Sequence, residues 1–132
     1  MILYINTSSP DEIDVFLIKD NSIKNQLSLA GNYKVSENLL KLIDKLLAKN
    51  KLNKEQLQGI ICVAGPGPFT SLRIAVTIAN TLAYTLQIPV IDVINDQDYD
   101  NKKLIEIGIG LLNKQKVGVY IKPFYNKEAN IT

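Results

Sequence analysis

Between Gln56 and Ile91 the chain carries a single charge, Arg73, although 21% of the whole chain is charged. Within that stretch, Gly59 to Ala64 is a continuous apolar run, as a strand buried on both faces would be. Gly65-Pro66-Gly67-Pro68-Phe69 breaks it, a helical pattern runs to about Leu86, and Ile88 to Val93 is again apolar. Strand, helix and strand at this spacing imply a parallel crossover. Pro89 stands near the start of the last strand, where a proline is tolerated.

The segment before it reads as a meander. Residues 2–5 are an apolar strand and residues 6–11 carry turn chemistry. Residues 12–18 form a second strand with Ile13, Val15 and Leu17 on one face. Lys19-Asp20-Asn21-Ser22 signals a hairpin turn, and residues 23–29 read as a third strand with Ile23, Leu27 and Leu29. A helix over 36–49 follows, with Ser36 as N-cap and Glu37 in the first turn. The predicted order is β-β-β-α-β-α-β, an α/β fold with a mixed five-stranded sheet and helices. Residues 94–103 read as a polar linker. Residues 102–114 read as a short helix weakened by Gly108 and Gly110, and 117–121 as extended chain.

Both main helices present more than a core stripe. On the first, Leu39, Leu40, Leu42, Ile43, Leu46 and Leu47 cover roughly 160° at about 100° per residue, more than one sheet contact requires, which fits either a well-buried core helix or one that packs on its own sheet and also on a partner. On the second, Leu72, Ala75, Val76, Ala79, Leu82, Ala83 and Leu86 form the core stripe. Ile74 and Ile78 lie off it, and Arg73, Thr77, Asn80, Thr81 and Tyr84 fill the remaining face. Small, neutral and aromatic residues there suit a surface covered by a partner, because charge is depleted at interface cores. The chain's own C-terminal segment is the other candidate for the cover.

The residue inventory limits chemistry. There is no histidine, the most common general base and metal ligand. The single cysteine, Cys62, sits in an apolar strand, so a disulfide framework and a cysteine zinc cluster are both ruled out. A net charge of +2 gives no reason for non-specific nucleic-acid binding. The apolar stretch from Ile74 to Leu86 is interrupted by Thr77, Asn80, Thr81 and Thr85. It falls short of the roughly 20 apolar residues of a membrane span. No basic region precedes the first apolar run, so no signal peptide is read there and the expected location is cytoplasmic.

Two loops could hold an anion. Gly65, Gly67, Thr70 and Ser71 lie between a strand and a helix N-terminus, where amides and the helix dipole favour negative charge. No Gly-Lys-Ser/Thr follows, so this is not a Walker A loop, and two prolines remove donors. The other role of this loop is a turn, with Thr70 or Ser71 capping the helix. Asn6-Thr7-Ser8 follows the first strand, as phosphate-contacting loops do in actin-like ATPases, but asparagine cannot act as a base. The sequence pairs no nucleophile with a base.

Ser36-Glu37-Asn38-Leu39-Leu40, Gly65-Pro66-Gly67-Pro68-Phe69-Thr70-Ser71-Leu72-Arg73-Ile74, Leu82-Ala83 and Ile88-Pro89-Val90 resemble the TsaB family. Ile2 to Ser8 is similar to that family's opening Leu-x-Ile-Asp-Thr-Ser strand, and Lys122-Pro123-Phe124-Tyr125 to its closing Pro-x-Tyr-x-Arg. The chain departs from the pattern in several places. Asn6 replaces an aspartate, Pro68 a serine, and Ser71 and Ala75 replace glycines; Val35 stands where histidine is frequent, and Asn126-Lys127 replaces the final arginine region.

The resemblance implies the N-terminal lobe of an RNase-H-like, actin-like ATPase superfamily fold over residues 1–95. A reduced segment of linker, short helix and closing strand follows over 96–132, with the second lobe largely missing. It also implies a non-catalytic scaffold with no cofactor. That scaffold would support a TsaD-like threonylcarbamoyltransferase in making N6-threonylcarbamoyladenosine in tRNA, beside a TsaE-like ATPase and with tRNA met only indirectly. In that role the first two helices dock the TsaD-like subunit. The residues expected to carry the contact are Leu40, Ile43, Leu47, Arg73, Ile74, Ile78, Thr81 and Tyr84, and Ile78→Asp is expected to break pairing without harming the fold. Two other readings stay open: a domain binding ATP or ADP at Asn6-Thr7-Ser8 and the Gly65–Ser71 loop, alone or at a partner interface, and a homodimer through the same helices.

Overall fold

The computed structural model of the protein describes residues 1–31 and 34–124. Tyr125, Asn126 and Lys127, quoted for the closing motif and its departures, lie outside the described residues. The elements are β1 (Ile2–Ser9), β2 (Glu12–Lys19), β3 (Ser22–Ala30), α1 (Val35–Lys49), β4 (Gly59–Gly65), α2 (Phe69–Leu86), β5 (Val90–Ile94) and α3 (Asn101–Leu112). They build one mixed sheet in the order β3-β2-β1-β4-β5. The first three strands pair antiparallel, and β4 lies parallel to both β1 and β5. This is the mixed five-stranded sheet that the sequence pattern predicts, and the RNase-H-like arrangement that the resemblance implies.

The alternation of β2 sets the two layers. Ile13, Val15 and Leu17 join Leu3, Ile5, Ile60 and Cys62 in the core beneath α1 and α2. Phe16 and Ile18 join Tyr4, Ile61, Val63, Ile91 and Val93 on the other face, where α3 packs with Leu104, Ile105 and Leu112. All seven residues of β4 are buried. Full burial of each valine or isoleucine side chain contributes about 1.5–3 kcal/mol relative to exposure, so the central strands hold much of the stability.

Several boundaries differ from the sequence reading, each for a local reason. β1 runs on through Ser9, so the predicted turn at 6–11 shrinks to Pro10 and Asp11. The hairpin turn is tight: Asp20 and Asn21 both take positive φ, 52° and 63°, the left-handed pair that matches strand twist. Leu17 pairs with Asn25 but Ile18 pairs with Ile23, so Lys24 is an extra residue in β3. That bulge turns Ile23 away from Leu27 and Leu29 and onto the α3 face. Val35 opens α1 and Lys34 is its N-cap, so Ser36 does not cap it. Pro68 is the N-cap of α2, which places Thr70 and Ser71 inside the first turn.

After β5 the chain reaches α3 sooner than predicted, with Asp100 as N-cap accepting a bond from the Lys103 amide at 2.9 Å. Gly108 is a packing residue here. A Cβ at that position would lie 2.6 Å from Ile61 Cγ2, and the wholly buried Ile61 has no room to yield. Gly59 is the matching case, where a Cβ would lie 2.6 Å from Leu112 Cδ2. Residues 113–124 contain no strand, so the expected closing strand does not form among the described residues. They return across the edge of α2, and the Phe124 amide donates to the Ala64 carbonyl at 2.8 Å.

The glycine contact gives opposing expectations that one measurement separates. Helix propensity alone would make Gly108→Ala stabilising by about 1 kcal/mol. The clash with Ile61 should reverse that sign, and we expect net destabilisation of about 1–3 kcal/mol in denaturant unfolding. A stabilised variant would contradict the packing described.

Candidate functional site

The carboxyl ends of β1, β4 and β5 meet the N-terminus of α3, the place where open α/β sheets usually receive ligands. Here that place is filled by the chain's own side chains. Asn6 Nδ2 donates to Asn101 Oδ1 at 2.7 Å, and Asn6 Oδ1 accepts from the Ser8 amide and hydroxyl at 2.9 and 2.6 Å. The Tyr4 hydroxyl donates to the same Asn101 oxygen at 2.6 Å. Asn101 Nδ2 donates to Asp14 Oδ2 at 3.1 Å, and Ser28 donates to Asp14 Oδ1 at 2.6 Å. One asparagine at the start of α3 thus ties that helix to β1 and β2.

The loop expected to hold an anion packs inward as well. A Cβ on Gly67 would lie 2.5 Å from the Ser8 carbonyl oxygen. Gly65, at φ 141°, has the Phe124 carbonyl 2.9 Å from its Cβ position. Thr7 is wholly buried and donates to the Ser71 carbonyl at 3.2 Å, while Thr70 stays exposed. The structure therefore brings Asn6, Thr7, Ser8, Gly65, Gly67 and Ser71 together, against one another and against Phe124.

Burial also sets the titration of the nearby groups. It pushes the Tyr4 hydroxyl well above its ordinary value, partly opposed by the Asn6 bond. Burial, with Asp92 adding to it, pushes the Cys62 thiol up to about 12. Both stay protonated at neutral pH and neither offers a nucleophile there. The negative charge of Asp14 raises Glu12. Among the described residues no three His, Cys, Asp or Glu side chains form a metal-binding group.

Sequence reasoning missed Asn101, Asp14 and Ser28. A signal was present: register sets Asn6 opposite Asp14, two polar residues on one face of otherwise apolar strands. The third partner arrives from 87 residues away, which no local pattern reveals.

The second candidate surface is the outer side of α1 and α2. The α2 stripe from Leu72 to Ala83 is buried as predicted, with Leu86 half-buried. Ile74 and Ile78 are half-buried against the core, so Ile78→Asp should strain the fold, contrary to the sequence expectation. Arg73 lies over the Phe69 ring of its own helix, 5.1 Å from the centroid. Thr77 and Thr81 each donate to the carbonyl one turn back at 2.8 Å, which leaves an outer face of methyl groups and satisfied hydroxyls. Tyr84 is 59% exposed.

The first helix needs a correction. Ile43 and Leu47 are buried, because α1 packs on β2, β3 and α2 at once, and that absorbs its wide apolar arc. Leu40, 42% exposed, remains outward among Lys41, Asp44 and Lys45. The C-terminal segment covers one flank of α2. Asn80 and Ile121 exchange two hydrogen bonds, at 2.9 and 3.0 Å, and the Tyr84 and Tyr120 rings lie 6.4 Å apart. Own-chain cover and outward neutral surface therefore coexist on this helix. A larger groove, about 570 Å³, lies elsewhere, between α3 and the β2–β3 hairpin, with Ile23, Ile105 and Ile109 among its lining residues. Among the described residues, no helix is long and apolar enough to cross a membrane.

Comparison with known proteins gives consistent matches. The family model described as TsaD, tRNA N6-adenosine threonylcarbamoyltransferase, matches residues 32–95. The tRNA threonylcarbamoyladenosine biosynthesis protein TsaB of Buchnera aphidicola subsp. Acyrthosiphon pisum is 29% identical over 127 residues, 92% of this chain and 57% of that one. The TsaB of Buchnera aphidicola subsp. Schizaphis graminum is 35% identical over 92 residues, 68% of this chain and 42% of that one. Among solved structures, YeaZ from Pseudomonas aeruginosa superimposes with a TM-score of 0.61 at 29% identity, covering 70% of this chain and 42% of that one. The chain thus spans about half the length of the relatives it matches.

The Asn6 network yields a direct test. Asn6→Asp would set an acceptor against Asn101 Oδ1 and a second carboxylate opposite Asp14. Turning the Asn101 amide would relieve one clash and create the other. We expect a loss of about 1–3 kcal/mol at neutral pH. The new carboxyl's pKa should be raised, so the penalty should shrink as pH falls through it. Thermal melts across pH check this, and a variant as stable as the parent at neutral pH would contradict the network.

Proposed function

We propose that the chain, which is similar to TsaB proteins over most of its length, is a member of that family and a non-catalytic subunit of the machinery that makes N6-threonylcarbamoyladenosine in tRNA. It docks a TsaD-like threonylcarbamoyltransferase through the outer face of α2, with Leu40 of α1 at the margin. A TsaE-like ATPase and tRNA are met through that partner, and the role requires no cofactor held by this chain. The observation that carries the reading is the α2 surface: Thr77, Thr81 and Tyr84 point outward, and Arg73 is the one charge on the helix. Interface cores share that depletion of charge and that aromatic content. The strand-end crevice supports the same reading over a nucleotide-binding domain, because its polar side chains are engaged with each other.

Size-exclusion chromatography with light scattering tests the proposal, using the chain mixed with the TsaD-like protein of the same organism. The expected result is a one-to-one complex. Thr77→Arg and Leu40→Glu, both at exposed positions, should each weaken it at least about tenfold, equivalent to about 1.4 kcal/mol. Separate elution of the two parent proteins would refute docking.

A further inference from the structure

We propose that the seam between α2 and residues 117–124 is part of the docking face, and that its charge selects a carboxylate-bearing protein partner over a second copy of this chain. The inference rests on the docking role proposed above and specifies its partner.

The seam is a built surface. Ile121 is buried in the core and held to Asn80 by the two reciprocal bonds, and Phe124 is fixed to the Ala64 carbonyl. The side chains on either side of Ile121, Tyr120 and Lys122, face outward. Tyr120 is 44% exposed beside Tyr84, and the two rings flank a shallow groove floored by Asn80, Thr81 and Thr85. A segment already anchored at two points loses little freedom on binding, so exposed tyrosines here are suited to serve as anchors.

Charge decides the occupant. Residues 63–91 and 113–124 contain Arg73, Lys114, Lys116 and Lys122 and no aspartate or glutamate. Among the described residues, the ion pairs lie elsewhere, as Lys34–Glu37, Lys54–Asp44 and Lys103–Glu106. The two acids of α1, Glu37 and Asp44, are therefore already matched within their own neighbourhood. A symmetric pairing of two seams would set each copy's cations against the other's, with no carboxylate from residues 63–91 or 113–124 to balance them, an arrangement that disfavours the wrong partner. A partner that offers apolar area for Tyr84 and Tyr120, and carboxylates for Arg73 and Lys122, satisfies the face.

Light scattering of the chain alone, followed by calorimetric titration with the TsaD-like protein at low and high salt, tests this. The parent chain should be monomeric, and its affinity for the partner should fall as salt rises. The double variant Arg73→Glu, Lys122→Glu should weaken the complex at least about tenfold. Tyr120→Ala should weaken it comparably, chiefly through faster dissociation. Lys122→Glu alone, at an exposed position, keeps the test open if Tyr120→Ala is poorly folded. A salt-sensitive complex weakened by these changes supports the seam. A complex that forms but ignores all of them overturns the seam and leaves docking elsewhere on α1 and α2 standing. A parent homodimer that Tyr120→Ala dissociates overturns the partner choice, and absence of any complex overturns both readings.

Discussion

The two-sided burial of β4 governs the structure. All seven of its residues are inaccessible, so apolar side chains must arrive from above and below the sheet. From one side α2 supplies them, with Ala75 and Ala79 small enough for close approach, and α1 packs beside it over β2 and β3. From the other side α3 supplies Leu104, Ile105 and Leu112. The approach of α3 is so close that Gly108 lies on Ile61 and Leu112 lies on Gly59. Residues 101–112 therefore complete the core on one face of the sheet that the meander begins. The Asn101 network fixes the first turn of α3, and its partners Tyr4 and Asn6 sit on β1, next to β4, with Asp14 on β2 beyond.

Much of this was legible because burial writes its period into the residues. Alternation in β2 gave both faces, the stripe on α2 gave its buried side, and unbroken apolar runs gave β4 and β5. What stayed hidden was tertiary. Lys24 reads as an ordinary polar strand residue, yet it is the bulge that sends Ile23 to the other face. The wide arc of α1 fits a core helix or one that also meets a partner, and the sequence could not choose; three neighbouring elements consume the arc, and Ile43 and Leu47 go inside. Gly108 reads as a helix weakness and proves to be a contact. The Asn6 position reads as a lost carboxylate, and its actual neighbour comes from the far end of the chain.

The same physics separates the two candidate surfaces. In the strand-end crevice the polar groups spend their hydrogen bonds on one another, and Gly67 lies against the Ser8 backbone. On α2 the hydroxyls of Thr77 and Thr81 are satisfied by their own helix, so those two positions can be covered without stranding a donor. Tyr84 and Tyr120 add apolar area with a polar tip, which suits a face that is wet before binding and covered after it.

The central claim is that α2, and not the strand-end crevice, meets another protein. Amide hydrogen exchange of the chain with and without the TsaD-like protein tests it most directly. The account predicts slower exchange in residues 69–86 and 117–124, with residues 6–8 and 95–101 unchanged. Slowing confined to the crevice residues, or no change along α2 in a complex that has formed, would contradict it.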